Sequence, residues 1–288
     1  MNIIEYEQFH ETKSHFEAAK IAYNTYLCSI PLDFGLVPLH WHDDAEFIYI
    51  KKGKGIISID MIEHTVSAGD IAFLLPGQVH GISQYENESM EYENIIFDAK
   101  ILSGNTDGIY DSFLKPLFNN EIAIAHVFKP GVVGYESVRH YLDENDNISR
   151  IMPPAYGLAI KGNLFSMFFS LITIYEKRVD IVSTHRIDRL KPVIKYVELN
   201  YDKPATVAQM AELIGFSESH FMRYFKEALG VSFVSYLNDY RLTMAARLLL
   251  QSQDSILDIA QQVGFDNLSH FNRQFKKKYN KTPRDYRR

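Results

Sequence analysis

The sequence predicts an α+β multidomain chain. Residues 1–130 read as an N-terminal β barrel, 131–184 as a helical segment, and 185–288 as an all-α domain with two helix-turn-helix motifs. Three observations carry this. Short Ile-rich strands broken by turn residues fill the first half. Helical spacing replaces them from about Gly131. Near the C-terminus the chain then repeats itself: "GFSESHFMRYFKEALG" from Gly215 is followed by "GFDNLSHFNRQFKKKYN" from Gly264.

The strands come first. "EFIYIKKGKGIISID" (Glu46 to Asp60) alternates, with Gly53 and Gly55 placed as a turn. "HTVSAGDIAFLLPGQVHGI" (His64 to Ile82) gives two more strands split by Ala-Gly-Asp and Pro-Gly, and "MEYENIIFDA" (Met90 to Ala99) another. Regular short strands suit a sandwich or barrel. "YESVRHYLDEN" (Tyr135 to Asn145) and the run from Pro153 to Arg178 have helical periodicity. The second is apolar around most of its last half. It is expected to be buried, against the barrel or against its twin in a homodimer. "VDIVSTHR" (Val179 to Arg186) reads as a linker.

Composition excludes several classes. With Cys28 as the single cysteine, no intrachain disulfide can form, which suits a reducing compartment. The start lacks the pattern of a signal peptide, and the most apolar run, Leu164 to Tyr175, is too short to span a bilayer. A cytoplasmic protein without membrane partners is expected. Charge is uneven: residues 1–184 hold 13 Lys+Arg against 25 Asp+Glu, and residues 185–288 hold 17 against 11. Only the C-terminal third, at net +6, is suited to a polyanion.

Within the repeat, Ala211, Gly215 and Phe216 match Ala260, Gly264 and Phe265. One extra residue later, His220, Phe221, Arg223, Phe225 and Lys226 match His270, Phe271, Arg273, Phe275 and Lys276. Each copy is a short helix, a Gly-Phe turn and a second helix. Phenylalanines four apart define a buried stripe. The opposite face, with its flanks, collects Ser217, Ser219, His220, Met222, Arg223 and Lys226 in the first copy. In the second it collects Asn267, Ser269, His270, Asn272, Arg273, Lys276 and Lys277. The Ser, His, Asn, Arg and Lys side chains among them donate to phosphate oxygens and to base edges in a major groove. Ser232 to Gln251, read as one helix, is about 30 Å long, close to the roughly 34 Å between successive major-groove faces.

"VAQMAELIGFSESHFMRYFKEALGVSFVSYLNDYRLTMAARLL" and "SILDIAQQVGFDNLSHFNRQFKKKYNKTPRDYRR" resemble the DNA-binding domain of the AraC/XylS family of bacterial transcription regulators. The resemblance covers about a third of the chain. It implies seven helices and a first recognition helix that does most of the reading. It also implies double-stranded promoter DNA as partner, and RNA polymerase if the protein is an activator. One departure is that Phe233 stands where the second copy has Pro283, while many relatives carry Pro at both.

The N-terminal half holds His40, His42 and Glu46, and "PGQVH" ends at His80. On an uninterrupted strand the first three share a face. The spacing resembles a cupin barrel, loosely so at the second motif, where Pro76 directly precedes Gly77. Three readings stay open. The four residues surround an organic effector, a carbohydrate by analogy with the sugar-sensing branch; or they hold a divalent metal; or they close the barrel mouth on each other. Trp41 and Tyr49, with Phe73 and Tyr85, are candidate aromatic walls. The favoured expectation is a non-enzymatic, cofactor-free, dimeric activator controlled by a small metabolite. The rivals are a metal-dependent cupin enzyme fused to a DNA-binding module and a ligand-independent regulator whose barrel only dimerises.

Overall fold

The computed structural model describes residues 21–32, 35–104, 107–175 and 185–287. The linker expected at Val179 to Arg186 lies largely outside them, as does the end of the second helix at Arg178. The chain divides into two compact units, Met1–Asp33 with Trp41–Ser183, and Phe34–His40 with Thr184–Arg288.

The first unit is built on the strands β1 (Tyr23–Ile30), β3 (Ala45–Ile59), β4 (Ile62–Ser67), β5 (Ile71–Leu74), β6 (His80–Gln84), β7 (Met90–Phe97) and β8 (Val127–Phe128). The order is β1-β7-β3-β5-β8, and β4 and β6 both pair with β3. β3 is long enough to serve two sheets. Its first half pairs with β7 and β5, its second half with β4 and β6, and its register with β7 shifts between Ile50 and Lys52. A bulge there bends the strand, which is how one strand turns the corner of a barrel.

Register sorts the residues by face. Tyr26, Asn94 and Ile48 lie side by side, as do Asn24, Ile96 and Glu46. Odd-numbered neighbours, Phe47, Phe73, Ile95 and Phe97, point the other way. They stack there, with Phe47 and Phe73 centroids 4.3 Å apart. That outer face is covered by the short helix α1 (Lys115–Phe118) and by α2 (Tyr135–Ile151) and α3 (Tyr156–Ile174). Phe168 of α3 meets Phe118 at 5.2 Å, Phe73 at 5.9 Å and Phe97 at 6.2 Å. The helices read as a separate segment from 131 to 184 therefore complete the core of the first unit.

Of the two burials expected for α3, the structure shows the one against the barrel. Ile160, Leu164, Met167, Phe168 and Leu171 are buried, but Leu158 is 75% and Phe169 73% exposed. The sheet covers one side only, and the apolar residues on the far side stay uncovered by the described residues. By length and apolarity alone α3 could cross a membrane. Its buried side, however, is committed to the core with α2 and the strands.

The second unit contains the seven expected helices, α5 (Lys191–Asn200), α6 (Val207–Leu213), α7 (Glu218–Leu229), α8 (Phe233–Gln251), α9 (Ile256–Gln262), α10 (Leu268–Tyr279) and α11 (Pro283–Tyr286), after a short α4 (His185–Asp188). Their starts are written locally. Thr206 and Gln209 form a reciprocal capping box, and Ser232, Ser255 and Thr282 each accept a backbone N–H at an N-cap. Phe233 takes the place of a proline because it fills the core. It is 2% exposed and packs 5.7 Å from Phe221 and 5.6 Å from Phe225. Strand β2 (Leu36–His40) groups with this unit, where the Tyr236 hydroxyl donates to the Leu39 carbonyl at 3.1 Å.

Candidate nucleic-acid interface and buried polar site

The two repeats fold alike. In each, a short helix ends at a glycine with positive φ, +71° at Gly215 and +84° at Gly264. The chain then enters a second helix capped by Ser217 or Asn267. Phe221 and Phe225, and Phe271 and Phe275, are fully buried. Ser219, Met222, Arg223 and Lys226 of α7 are exposed, as are Ser269, Asn272, Arg273, Lys276 and Lys277 of α10. Four expected contact residues have local duties as well. Ser217 and Asn267 accept the backbone N–H of His220 and His270. The His220 ring stacks on Phe216 at 4.1 Å, and His270 is half-buried, its Nε2 3.2 Å from the Gln274 amide nitrogen.

The helices differ in charge. Glu218 and Glu227 on α7 offset Arg223 and Lys226, while α10 carries Arg273 and three lysines in its last turn. One of those three is structural. Lys278 donates to the Asp239 carbonyl at 3.0 Å and pairs with its carboxylate at 3.3 Å. The other two extend the exposed face. Between the two motifs runs α8, whose 19 residues make a rod about 28 Å long.

In the first unit, Glu46 is 1% exposed, and both imidazoles approach the same carboxylate oxygen. His42 Nε2 lies 2.7 Å from Glu46 Oε2 and His80 Nε2 3.3 Å from it. Each ring is oriented from behind, with Nδ1 of His42 donating to the Asp44 carbonyl and Nδ1 of His80 to that of Gln78. Burial pushes the Glu46 carboxyl up, but the adjacent His80 and the hydrogen bond from His42 outweigh it and hold the group well below the usual carboxylate range. Burial pulls His42 down, and the bond to Glu46 more than reverses that, so its pKa is raised. The result is a buried, compensated ion pair. Two imidazole nitrogens tied through their far sides, with one carboxylate, are also a donor set that a divalent transition metal accepts.

The expected uninterrupted strand does not exist. His40 ends β2, His42 sits in the turn, and Glu46 belongs to β3. His40 is buried with Nδ1 2.9 Å from the Pro38 carbonyl oxygen and groups with the second unit. Tyr49 and Phe73 are corrected from pocket walls to core, since odd positions face the helices. Trp41 is half-buried in the turn, and the Tyr85 ring lies under Lys54, 3.6 Å from its ammonium.

Sequence reasoning missed Asn94. It is fully buried on the same face as Glu46, and neither its amide nitrogen nor its oxygen has a hydrogen-bond partner among the described residues. Asn24 Nδ2, on that face too, also lacks one there. The available signal was an asparagine amid "MEYENIIF", a residue type depleted from strands.

Comparison with known proteins joins these two sites. Residues 34–140 match the family model of the AraC-like ligand binding domain, and residues 210–288 match a helix-turn-helix domain. The uncharacterized HTH-type transcriptional regulator YdeC of Bacillus subtilis (strain 168) is 26% identical over 259 residues, 88% of this chain and 87% of the relative. YbfI of the same strain, also an uncharacterized HTH-type transcriptional regulator, is 24% identical over 235 residues, 81% and 80%. ToxT from Vibrio cholerae is a structural neighbour at 15% identity and TM-score 0.48, covering 92% of this chain and 98% of its own. The class is thus a DNA-binding transcription regulator with a ligand-binding domain. Within that class, the matched segments are an AraC-like ligand binding domain and an AraC-type helix-turn-helix domain.

Proposed function

We propose that the protein is a homodimeric, non-enzymatic activator that binds promoter DNA through α7 and α10 and responds to a carbohydrate held in the barrel of residues 1–130. The observation that carries the DNA contact is the duplicated exposed face, each time behind a helix and a glycine turn. Arg223 and its neighbours on α7 read bases, while Lys276 and Lys277 on α10 hold phosphates. RNA polymerase is the downstream partner of an activator, and a cytoplasmic location follows from that role. The carbohydrate is supported by the buried polar groups around Glu46. It need only bind one conformational state of the regulator better than the other.

A gel-shift titration across salt tests the division of labour. Arg223→Ala should lower operator affinity by about 5- to 150-fold, the worth of one good base contact, and leave nonspecific binding nearly unchanged. Replacing both Lys276 and Lys277 with Gln should reduce the slope of log K against log salt by about 1.8, or about 0.9 for each phosphate that is no longer neutralised. Equal losses on both DNAs for the first variant, or an unchanged slope for the second, would refute the assignment.

Dimerisation is assigned to the uncovered side of α3, where Leu158, Gly162, Phe165 and Phe169 recur at spacings of four, three and four. A stripe at that spacing suits a second copy of the same helix. Phe169→Glu should convert dimer to monomer in sedimentation velocity while leaving the melting temperature of the unit close to wild type. A variant that sediments as wild type sinks the assignment.

A further inference from the structure

The two glycine turns are followed by equivalent phenylalanines that do different jobs. Phe265 is 4% exposed and packs edge-on against Phe271 at 5.3 Å, inside the second motif. Phe216 is only half-buried. The His220 ring stacks on it at 4.1 Å with an angle of 21° between the planes, and the Tyr224 ring meets it edge-on at 5.1 Å. The guanidinium of Arg189 stands over the same ring, 5.5 Å from its centroid.

Arg189 comes from outside both motifs. It occupies the turn between α4 and α5, where the Leu190 N–H donates to the Ile187 carbonyl at 2.8 Å. Ile187 and Leu190 are buried on either side of it, so the backbone is pinned while Arg189 itself stays exposed. Phe216 immediately precedes Ser217, the N-cap of α7, so the turn brings a cation to the start of that helix.

Charge pairing separates this arginine from its neighbours. Lys191 is matched by Asp188 at 2.6 Å, Lys195 by Glu198 at 3.0 Å and Lys278 by Asp239 at 3.3 Å. Arg189 has no carboxylate partner among the described residues, and neither have Arg223 and Lys226 of α7. The helix itself is balanced, with Glu218 and Glu227 against Arg223 and Lys226, so Arg189 tips its surroundings to net positive. An arginine resting on an aromatic ring is held by its flat face, which leaves the N–H donors of its edge for an oxyanion. The stack also limits the rotamer freedom that the side chain would lose on binding. Phosphates line both rims of the groove that a reading helix enters, and a cation flanking the helix suits such a rim.

We propose that Arg189 is a phosphate contact of the first DNA-reading helix, supplied by the turn before α5, and that the Phe216 ring is the platform that positions it. This rests on α7 being a reading helix, and it adds a residue that neither helix-turn-helix motif contains. The difference between the two phenylalanines follows from it. α10 carries its own lysines, so its turn aromatic can fill the core. α7 has no surplus cation, and its turn aromatic holds a borrowed one.

The test measures the salt dependence of binding by the full chain. The probes are a duplex that the wild type selects from a random pool and a scrambled duplex of equal length. Arg189→Gln should lower the slope of log K against log salt by about 0.9, the counterion release of one phosphate, and weaken both duplexes by similar factors. Arg189→Lys keeps the charge and should keep most of the slope. Lys191→Gln removes the same charge from a site that Asp188 already matches, and should move the slope far less. In a Phe216→Leu background, Arg189→Gln should change the slope less than it does in the wild type, because the guanidinium is no longer held. An unchanged slope in Arg189→Gln, or an equal change in Lys191→Gln, overturns the inference. Equal changes with and without the Phe216 ring overturn the platform. A variant at Arg189 that melts lower than wild type with its slope intact makes the arginine a structural residue. If replacing Lys276 and Lys277 still lowers the slope where Arg189→Gln does not, this inference alone falls. If neither does, it falls together with the assignment of the DNA face.

Discussion

Glu46→Ala is expected to cost the first unit about 3–5 kcal/mol, the usual loss when one partner of a buried ionic pair is removed. One oxygen of that carboxylate receives both His42 and His80, and the alanine would leave two buried imidazoles facing each other at a ring separation of 5.0 Å. Glu46→Gln keeps the shape and should cost less. The same pair sets a pH dependence. The Glu46 pKa is depressed in the folded state, so its contribution is present above the unfolded value of about 4.3 and is lost only as pH falls through its low folded value. His42 is raised, so its contribution is complete below the unfolded value of about 6.5 and is lost as pH rises through its folded value. The cluster therefore stabilises most between roughly pH 4.3 and 6.5 and progressively less above. Melting curves between about pH 5.5 and 8.5 should show that decline in the wild type and a flatter profile in Glu46→Ala. Parallel profiles would mean that the pair does not titrate as described.

The second large effect falls on one of a matched pair of glycines. Gly215 and Gly264 occupy equivalent turns, and both have positive φ. Around Gly215 there is open space. A Cβ at Gly264 would lie 2.7 Å from the Asp202 carbonyl oxygen and 2.9 Å from the Arg241 guanidinium. That arginine cannot simply move aside. Its Nε donates to the Tyr201 carbonyl at 2.6 Å and one terminal nitrogen to that of Lys203 at 2.8 Å, meeting the carbonyls that follow α5. Gly215→Ala should cost about 1–2 kcal/mol for the left-handed backbone alone. Gly264→Ala should cost about 3 kcal/mol or more, because the steric displacement adds to that strain. Urea denaturation of the two variants measures the difference, and equal losses would show that the Asp202 and Arg241 contacts yield freely.

The C-terminal unit was readable because everything it needs is local. Helix periods, caps at Thr206, Ser232, Ser255 and Thr282, and a duplicated Phe pair all lie within a few residues of what they specify. The barrel was readable as strands and only partly as a site. Histidine and glutamate spacing pointed to Glu46, but the strand assumed to carry all three breaks after His40. Tyr49 is odd where Glu46 is even, and alternation along β3 alone would have assigned it to the core. Asn94 is a different case. Its neighbours Tyr26 and Ile48 come from strands dozens of residues away, so its place beside Glu46 depends on a register that no single segment encodes. The apolar run in α3 signalled burial without saying how much of it the sheet can reach.

The unequal charge of α7 and α10 bears on how selective the regulator is, not only on how tightly it holds. A duplex gripped chiefly by the lysines of α10 is held whatever its sequence, and that hold weakens steeply as counterions accumulate. On the proposed division of labour, reading by the near-neutral α7 depends far less on counterions. If the two helices divide the work in that way, raising ionic strength strips away undiscriminating attachment faster than discriminating attachment, and the surrounding salt becomes a setting for fidelity.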